Sequence, residues 1–126
     1  MLINEGKMRE IKKLINNREA GVNNMNVRFK RDGIALIAII EGEIDHHTSR
    51  ILKDRIDSKF IIEPVKDLIL DLSNVTFMDS AGIGLITGRM KKVTSVGGKM
   101  SIKNPKSEII KMLRMSNIDK LVKKDA

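Results

Sequence analysis

An aspartate and a serine, Asp79 and Ser80, stand where a buried strand is predicted to give way to a helix. The first turn of a helix has unpaired N–H groups and a partial positive charge, so it can accommodate a phosphate on a serine hydroxyl. Phosphoserine adds about −1.5 to −2 charges, here beside the Asp79 carboxylate, and would repel a partner that fits the bare serine. An Asp-Ser pair can also be nothing more than a helix cap, and position alone leaves both interpretations open.

Small residues follow this serine. Ala81, Gly82 and Gly84 are predicted to leave the start of the helix uncovered, so that the backbone of a partner or the active site of a kinase can approach closely. An apolar pair, Phe77 and Met78, is predicted to anchor the preceding connection from below. The segment therefore has the features of a contact surface as well as those of a modification site.

Two histidines and three carboxylates raise the question of a metal site. His46 and His47 are adjacent and point in different directions, and the sequence contains no further histidine and no cysteine, which argues against zinc. Glu43, Asp45 and Asp79 suggest the Mg²⁺ site of an aspartyl-phosphate receiver, but the lysine that such a domain carries after a late strand is missing. We interpret the histidines as part of a partner interface near the serine, and we expect no metal and no cofactor.

Enzyme motifs are missing from the sequence. Its glycines form neither a GxGxxG nor a GK[ST] phosphate-binding loop. No Ser-His-Asp arrangement is supported, and the lack of cysteine excludes thiol catalysis and disulfides. We therefore predict that the protein has no catalytic activity of its own.

The size and hydropathy of the chain indicate one soluble domain. The 126 residues are 41 % apolar and 32 % charged, as is usual for a globular protein. The longest apolar run, residues 34–40, is far shorter than the roughly 20 residues of a membrane span, and the N-terminus has no apolar stretch of the signal-peptide kind. We predict a cytoplasmic protein without a membrane partner.

The net charge of +8 is concentrated in the tails. Residues 1–24 carry +2 and residues 103–126 carry +4, so the long middle section is nearly balanced. Three Phe and no Trp or Tyr offer no stacking platform for bases. Most of the lysines are therefore interpreted as solvated surface, and direct binding of nucleic acid or of an anionic surface through the tails is kept as the less favoured hypothesis.

Hydrophobic periodicity predicts an N-terminal extension over residues 1–24, disordered or weakly helical, and one domain over residues 25–126. The order β-β-α-β-α-β-α predicts an α/β fold in which an initial hairpin precedes parallel neighbours covered by helices. Asp45 or Thr48 is expected to cap the first helix of the domain, and Asn117 to end the last one in a left-handed conformation. The predicted strands are 25–30, 34–40, 67–72 and 99–103, the helices are 49–60, 80–96 and 106–115, and residues 41–48 and 73–79 are predicted as connections.

The segment from Phe77 to Arg89, FMDSAGIGLITGR, resembles the signature of STAS-domain anti-sigma-factor antagonists, in particular those of the sporulation type. Three further blocks resemble the same family in the same order: residues 42–48, 97–100 and 113–118. The similarity covers about residues 25–122, and four ordered blocks are more specific than any one of them.

The resemblance implies a fold, a function and partners. It implies the STAS fold, an α/β arrangement with a mixed sheet of about four strands and helices packed mainly on one side. It further implies that Ser80 is phosphorylated by a partner that is both an anti-sigma factor and a serine kinase, and that a PP2C-type serine phosphatase reverses this. The unphosphorylated form would bind the kinase and release the sigma factor. Independently of the resemblance, nothing in the sequence requires more than a monomer, and a monomer is expected. A stress-response antagonist and a STAS scaffold protein remain alternatives.

The resemblance also implies which residues meet the partner, and two departures affect this expectation. Many members have a second small hydroxyl residue where this chain has Ala81, so Ser80 is the unambiguous target. The N-terminal extension has no counterpart in the family. The expected partner-binding residues are Asp45, His46, His47, Thr48, Asp79, Ser80, Ala81, Gly82, Gly84 and Arg89.

Overall fold

Residues 26–123 form five strands, three α-helices and a short 3-10 helix. The computed structural model describes residues 4–9 and 26–123, and residues 5–9 are helical. The predicted extension over residues 1–24 lies mostly outside the described residues and stays a prediction. The strands are β1 (Asn26–Asp32), β2 (Ala35–Ile44), β3 (Asp67–Met78), β4 (Met100–Lys103) and β5 (Val122–Lys123), the helices are α1 (His46–Ile62), α2 (Ser80–Ser95) and α3 (Ser107–Met115), and the 3-10 helix is Asp119–Leu121.

The five strands form one mixed sheet in the order β1-β2-β3-β4-β5. β1 and β2 are antiparallel and form the predicted hairpin, whose turn contains Gly33 at a φ of 59°. β2, β3, β4 and β5 are all parallel neighbours, because each connection between them crosses over through a helix. The predicted α/β fold is confirmed, with β5 as a short strand beyond the four that were expected.

One face of the sheet forms the core. Leu36 pairs with Leu68, which pairs with Met100, and residues paired in this way point to the same face, where all three are buried. Ile37 and Ile69, one position further along, point to the other face and are only half-buried. The helices pack on the first face through Leu52 and Ile56 of α1, Ile86 and Val93 of α2, and Ile109 and Leu113 of α3.

β3 is longer than predicted. The sequence predicts a connection over residues 73–79, whereas the strand continues to Met78. Leu72, Val75 and Met78 are all buried, although a regular strand buries every second residue. Two register shifts relative to β2 explain the spacing of three, because each bulge adds one residue to β3 and so returns the next apolar side chain to the core.

β2 is also longer than predicted, and α1 begins earlier. Residues 41–48 were expected to form a connection, but the strand runs to Ile44 and the helix begins at His46. Ile44 pairs with Met78, and burial of both side chains holds the ends of the two strands together. A single residue, Asp45, therefore connects β2 to α1.

The C-terminal part follows the prediction closely. Asn117 has a φ of 58° and ends α3 in the left-handed conformation. Ile118 is buried, and Leu121 and Val122 pack against the core. None of the helices in residues 4–9 and 26–123 is long and apolar enough to cross a bilayer.

Candidate functional site

The helices α1 and α2 begin side by side at one edge of the sheet. Ile44 and Met78, the last residues of two parallel strands, are paired, and each is followed by the aspartate that caps the next helix. The backbone N–H of Asp79 donates to the carbonyl of Ile44 over 3.1 Å. The pairing of β2 with β3 thus brings the start of α1, with Asp45, next to the start of α2.

Asp45 and Thr48 form a capping box at the start of α1. The Asp45 Oδ1 atom accepts hydrogen bonds from the backbone N–H groups of His47 and Thr48, both at 2.9 Å, and the Thr48 Oγ1 atom accepts from the Asp45 N–H at 2.8 Å. The Thr48 hydroxyl donates to the carbonyl of Glu43 at 2.9 Å. Donation from the Thr48 N–H is the main cause that lowers the pKa of Asp45 below its ordinary value. Both side chains are therefore engaged in holding the helix start.

Asp79 is the cap of α2, and Ser80 is its first helical residue. The Asp79 Oδ1 atom accepts from the Ala81 N–H at 2.8 Å, and the Asp79 carbonyl accepts from the Gly82 N–H at 3.0 Å. Ser80 is exposed, and within the described part of the chain its hydroxyl makes no hydrogen bond. The interpretation of Ser80 as a mere helix cap is therefore wrong, because the neighbouring carboxylate takes that role and leaves the hydroxyl free.

The two glycines of the first turn have different surroundings. Gly82 is buried, and a Cβ there would overlap Met78 Cγ and lie 2.6 Å from Met78 Sδ and 3.2 Å from Ile44 Cγ2. Gly84 is exposed, and a Cβ there would meet nothing within 4 Å. Gly82 allows α2 to approach the strand ends, whereas Gly84 and the half-buried Ala81 face the surface.

Arg89 lies between the helices and not on the open surface. Only 5 % of the residue is exposed, and its Nε atom is 2.9 Å from Asp57 Oδ1 on α1. The exposed Lys92 reaches the other oxygen of the same carboxylate at 2.9 Å. Arg89 therefore ties α2 to α1, and through this contact it sets the relative position of the two helix starts.

Phe77, three residues before the serine, is an exposed aromatic residue. Met78 is 4 % exposed, as its predicted anchoring role requires, but Phe77 is 49 % exposed and the prediction that both residues anchor the connection is wrong for it. The bulges are the reason, because they turn every third residue of β3 inward and leave Phe77 on the outside. The apolar spacing of Leu72, Val75 and Met78 is the signal that could have revealed this from the sequence.

His46 and His47 are exposed in the first turn of α1. Residues 4–9 and 26–123 contain no group of three or more His, Cys, Asp or Glu side chains arranged to hold a metal ion. The two histidines lie on the surface that also carries Ser80, since α1 and α2 start from adjacent strand ends.

Comparison with known proteins agrees with this architecture. The family model described as "STAS domain" matches residues 26–125. The chain is 31 % identical to the anti-sigma F factor antagonist of Paenibacillus polymyxa over 99 residues, which cover 79 % of this chain and 85 % of the relative. It is 27 % identical to the anti-sigma-B factor antagonist of Bacillus subtilis (strain 168), with 79 % and 89 % covered.

Solved structures show the same fold. The anti-sigma factor antagonist SpoIIAA in its unphosphorylated form superposes with a TM-score of 0.72 at 24 % identity, covering 80 % of this chain and 89 % of SpoIIAA. The Bacillus cell fate determinant SpoIIAA in the phosphorylated form gives a TM-score of 0.66 at 24 % identity, with 80 % and 92 % covered. The family match over residues 26–125 and the identity to a relative that is covered over most of its length lead to one conclusion: the chain belongs to the STAS-domain family, with anti-sigma-factor antagonists among its relatives.

Proposed function

We propose that this protein is an anti-sigma-factor antagonist that works by partner switching. Its unphosphorylated form binds an anti-sigma factor that is also a serine kinase, and this binding releases the sigma factor. Phosphorylation of Ser80 ends the interaction. The single observation that carries the proposal is the free, exposed hydroxyl of Ser80 beside a cap formed entirely by Asp79.

The position of Ser80 suits a phosphate without a change of fold. Because its hydroxyl makes no hydrogen bond in the described structure, modification breaks none. The partial positive charge of the helix start stabilises the added negative charge. SpoIIAA, which shares the fold, has been solved in both an unphosphorylated and a phosphorylated form.

The phosphate would act on the partner by charge and bulk. Ser80 follows Asp79 directly, so phosphorylation places a second negative group on a surface that already carries one. The exposed Phe77 offers that surface an apolar anchor, and aromatic side chains are common among the residues that dominate binding energy. A partner that packs closely over this area would lose both contact and charge balance when the phosphate is added.

The expected partner-binding residues fall into two groups by their positions. His46, His47, Ala81 and Gly84, together with the serine, have surface available for direct contact. The remaining ones act through the positions of the helix starts: Asp45 and Thr48 through the capping box, Asp79 through its cap, Gly82 through close packing, and Arg89 through Asp57.

The proposal includes the other partners and the setting of the switch. A PP2C-type serine phosphatase would return Ser80 to its free form, and the antagonist would be a cytoplasmic monomer without catalysis of its own. A stress-response pathway is the second candidate, because a relative of nearly the same coverage is an anti-sigma-B factor antagonist. The two pathways differ in the sigma factor that is released and share the mechanism at Ser80.

Intact-mass spectrometry tests the proposal directly. The protein is incubated with ATP and either the anti-sigma F or the anti-sigma-B factor, and the modified residue is mapped by peptide fragmentation. We expect one phosphate on Ser80, none on the variant Ser80→Ala, and an unchanged single phosphate on the control variant Ser116→Ala at the end of α3. No phosphate with either kinase, or a phosphate on another residue, would overturn the mechanism.

A further inference from the structure

An open groove of about 330 Å³ lies between α1 and α2, beside the proposed phosphorylation site. We call it the α1–α2 groove. The side formed by α1 contains Arg50 and Lys53, and the side formed by α2 contains Ala81, Gly84 and Gly88. Ser80 is not among the lining residues, but it lies four residues before Gly84 and therefore on the same face of α2 as the groove.

The α2 side of the groove contains two glycines, which project no side chain into it. A Cβ at Gly84 or at Gly88 would meet no heavy atom within 4 Å, so both positions open onto free space. Ser80, Gly84 and Gly88 are four residues apart and lie along one stripe of the helix. A segment lying in the groove can therefore approach the backbone of α2 and reach the serine at its end.

The α1 side of the groove carries uncompensated positive charge. Arg50 and Lys53 are exposed, and neither takes part in an ion pair among the described residues. The half-buried carboxylate of Asp57, also on α1, is already paired with Arg89 and Lys92. Among the described residues, no carboxylate lines the groove. Its wall thus carries two cations with no partner within the described structure.

We infer that the α1–α2 groove binds an acidic, extended segment of the kinase that docks on Ser80, an inference that rests on the proposed function. Arg50 and Lys53 would pair with its carboxylates, and the glycine stripe would receive its backbone. A phosphate on Ser80 would stand at the end of the same stripe and offer these cations a competing negative group. The described residues that line the groove include no aromatic side chain on which a base could stack, which favours a protein segment over nucleic acid.

A partner-free titration tests the chemistry of the groove. Backbone amide resonances of the ¹⁵N-labelled protein are followed by NMR while hexaglutamate is added, with hexalysine as the control. We expect shifts centred on Arg50, Lys53, Gly84 and Gly88 with hexaglutamate only. Shifts spread over the basic tails, or the same groove shifts with single-stranded oligothymidine at a lower concentration, would overturn the inference.

Charge reversal tests the groove in the complex. The double variant Arg50→Glu/Lys53→Glu is expected to bind the anti-sigma factor kinase at least about tenfold more weakly than the wild type, because like charges would face each other. The control Lys111→Glu/Lys120→Glu makes the same change of net charge at exposed positions on α3 and the 3-10 helix. Equal binding by both double variants would overturn the inference.

A third variant separates the groove from the fold. Gly84→Leu places a side chain in the groove, at a position where a Cβ meets nothing within 4 Å. Leucine also favours helix more than glycine does. We expect an unchanged or higher Tm together with at least about tenfold weaker kinase binding. Failure of the wild type to bind or to be phosphorylated would instead overturn the proposed function, and the hexaglutamate titration would still decide the chemistry of the groove.

Discussion

Asp45 and Asp79 occupy equivalent positions at the ends of two neighbouring parallel strands, and each caps the helix that follows its strand. Asp45 forms a capping box with a threonine, whereas Asp79 caps α2 without help from a hydroxyl residue. The hydroxyl of Ser80 is consequently not needed to cap the helix. The same geometry that starts two helices side by side therefore leaves the hydroxyl of Ser80 exposed at the surface.

Substitution of Ser80 should change binding and leave the fold intact. Because the hydroxyl makes no hydrogen bond in the described structure, Ser80→Ala and Ser80→Asp should change the free energy of unfolding by no more than about 0.5 kcal/mol. In isothermal titration with the kinase, Ser80→Ala should bind and resist phosphorylation, and Ser80→Asp should bind much more weakly. Wild-type affinity of Ser80→Asp would contradict the switch.

Removal of the α2 cap should destabilise the domain. Asp79→Ala deletes the acceptor for the Ala81 N–H, and the loss of such a cap costs about 1 kcal/mol. Asp79→Asn keeps a side-chain oxygen at the same place and is the matched control. Urea denaturation should rank the wild type and Asp79→Asn together and Asp79→Ala below them. If the urea denaturation curves of all three proteins coincided, the cap would contribute nothing to stability.

Two glycine-to-alanine changes in the first turns of α2 should have opposite effects. Gly82→Ala forces a methyl group into Met78 and should cost about 1–3 kcal/mol of stability. Gly84→Ala enters free space and should add up to about 1 kcal/mol, because alanine favours helix. Thermal unfolding measures both variants under identical conditions. A Tm of Gly82→Ala equal to that of Gly84→Ala would refute the packing argument.

The ion pair of Asp57 with Arg89 should matter far more than that of Asp57 with Lys92. Asp57→Ala leaves a buried guanidinium without its carboxylate and should cost about 3 kcal/mol. Lys92 is exposed, so Lys92→Ala should cost no more than about 1 kcal/mol. A double-mutant cycle on Asp57 and Arg89, read by urea denaturation, measures the coupling. Equal losses for Asp57→Ala and Lys92→Ala would be inconsistent with this ranking.

The capping carboxylate of Asp45 should make stability depend on acid pH. Its pKa is lowered in the folded state, so its ionised form contributes stability that is fully present above the ordinary value of 3.8 and is lost as the pH falls through the lower folded value. The variant Asp45→Asn keeps a capping oxygen but cannot titrate. The Tm difference between wild type and Asp45→Asn should therefore be constant near neutral pH and shrink below pH 3.8. A difference independent of pH would exclude this contribution.

The amino-acid sequence by itself determined the order of elements, the hairpin, the left-handed Asn117 and the helix start at Ser80. These features depend on contacts between residues that are near in the chain: apolar periodicity, turn residues and helix ends. Asn117 is an example, since a short polar side chain tolerates a positive φ wherever a helix has to end.

Only the tertiary structure decided the remaining features of the site. The bulges of β3, and with them the exposure of Phe77, arise because Leu72, Val75 and Met78 must all reach a core that the neighbouring strand and helices define. Arginine is usually found at the surface, but Arg89 is buried because Asp57 on another helix pairs with it. Asp79, and not Ser80, caps α2, because its side chain accepts a hydrogen bond from the Ala81 N–H. Residue types alone do not specify this geometry, since both residues can cap a helix. For Phe77 and Arg89 the deciding contacts come from a neighbouring strand or helix that is distant in the chain, whereas the cap of α2 depends on the local backbone geometry of the helix start.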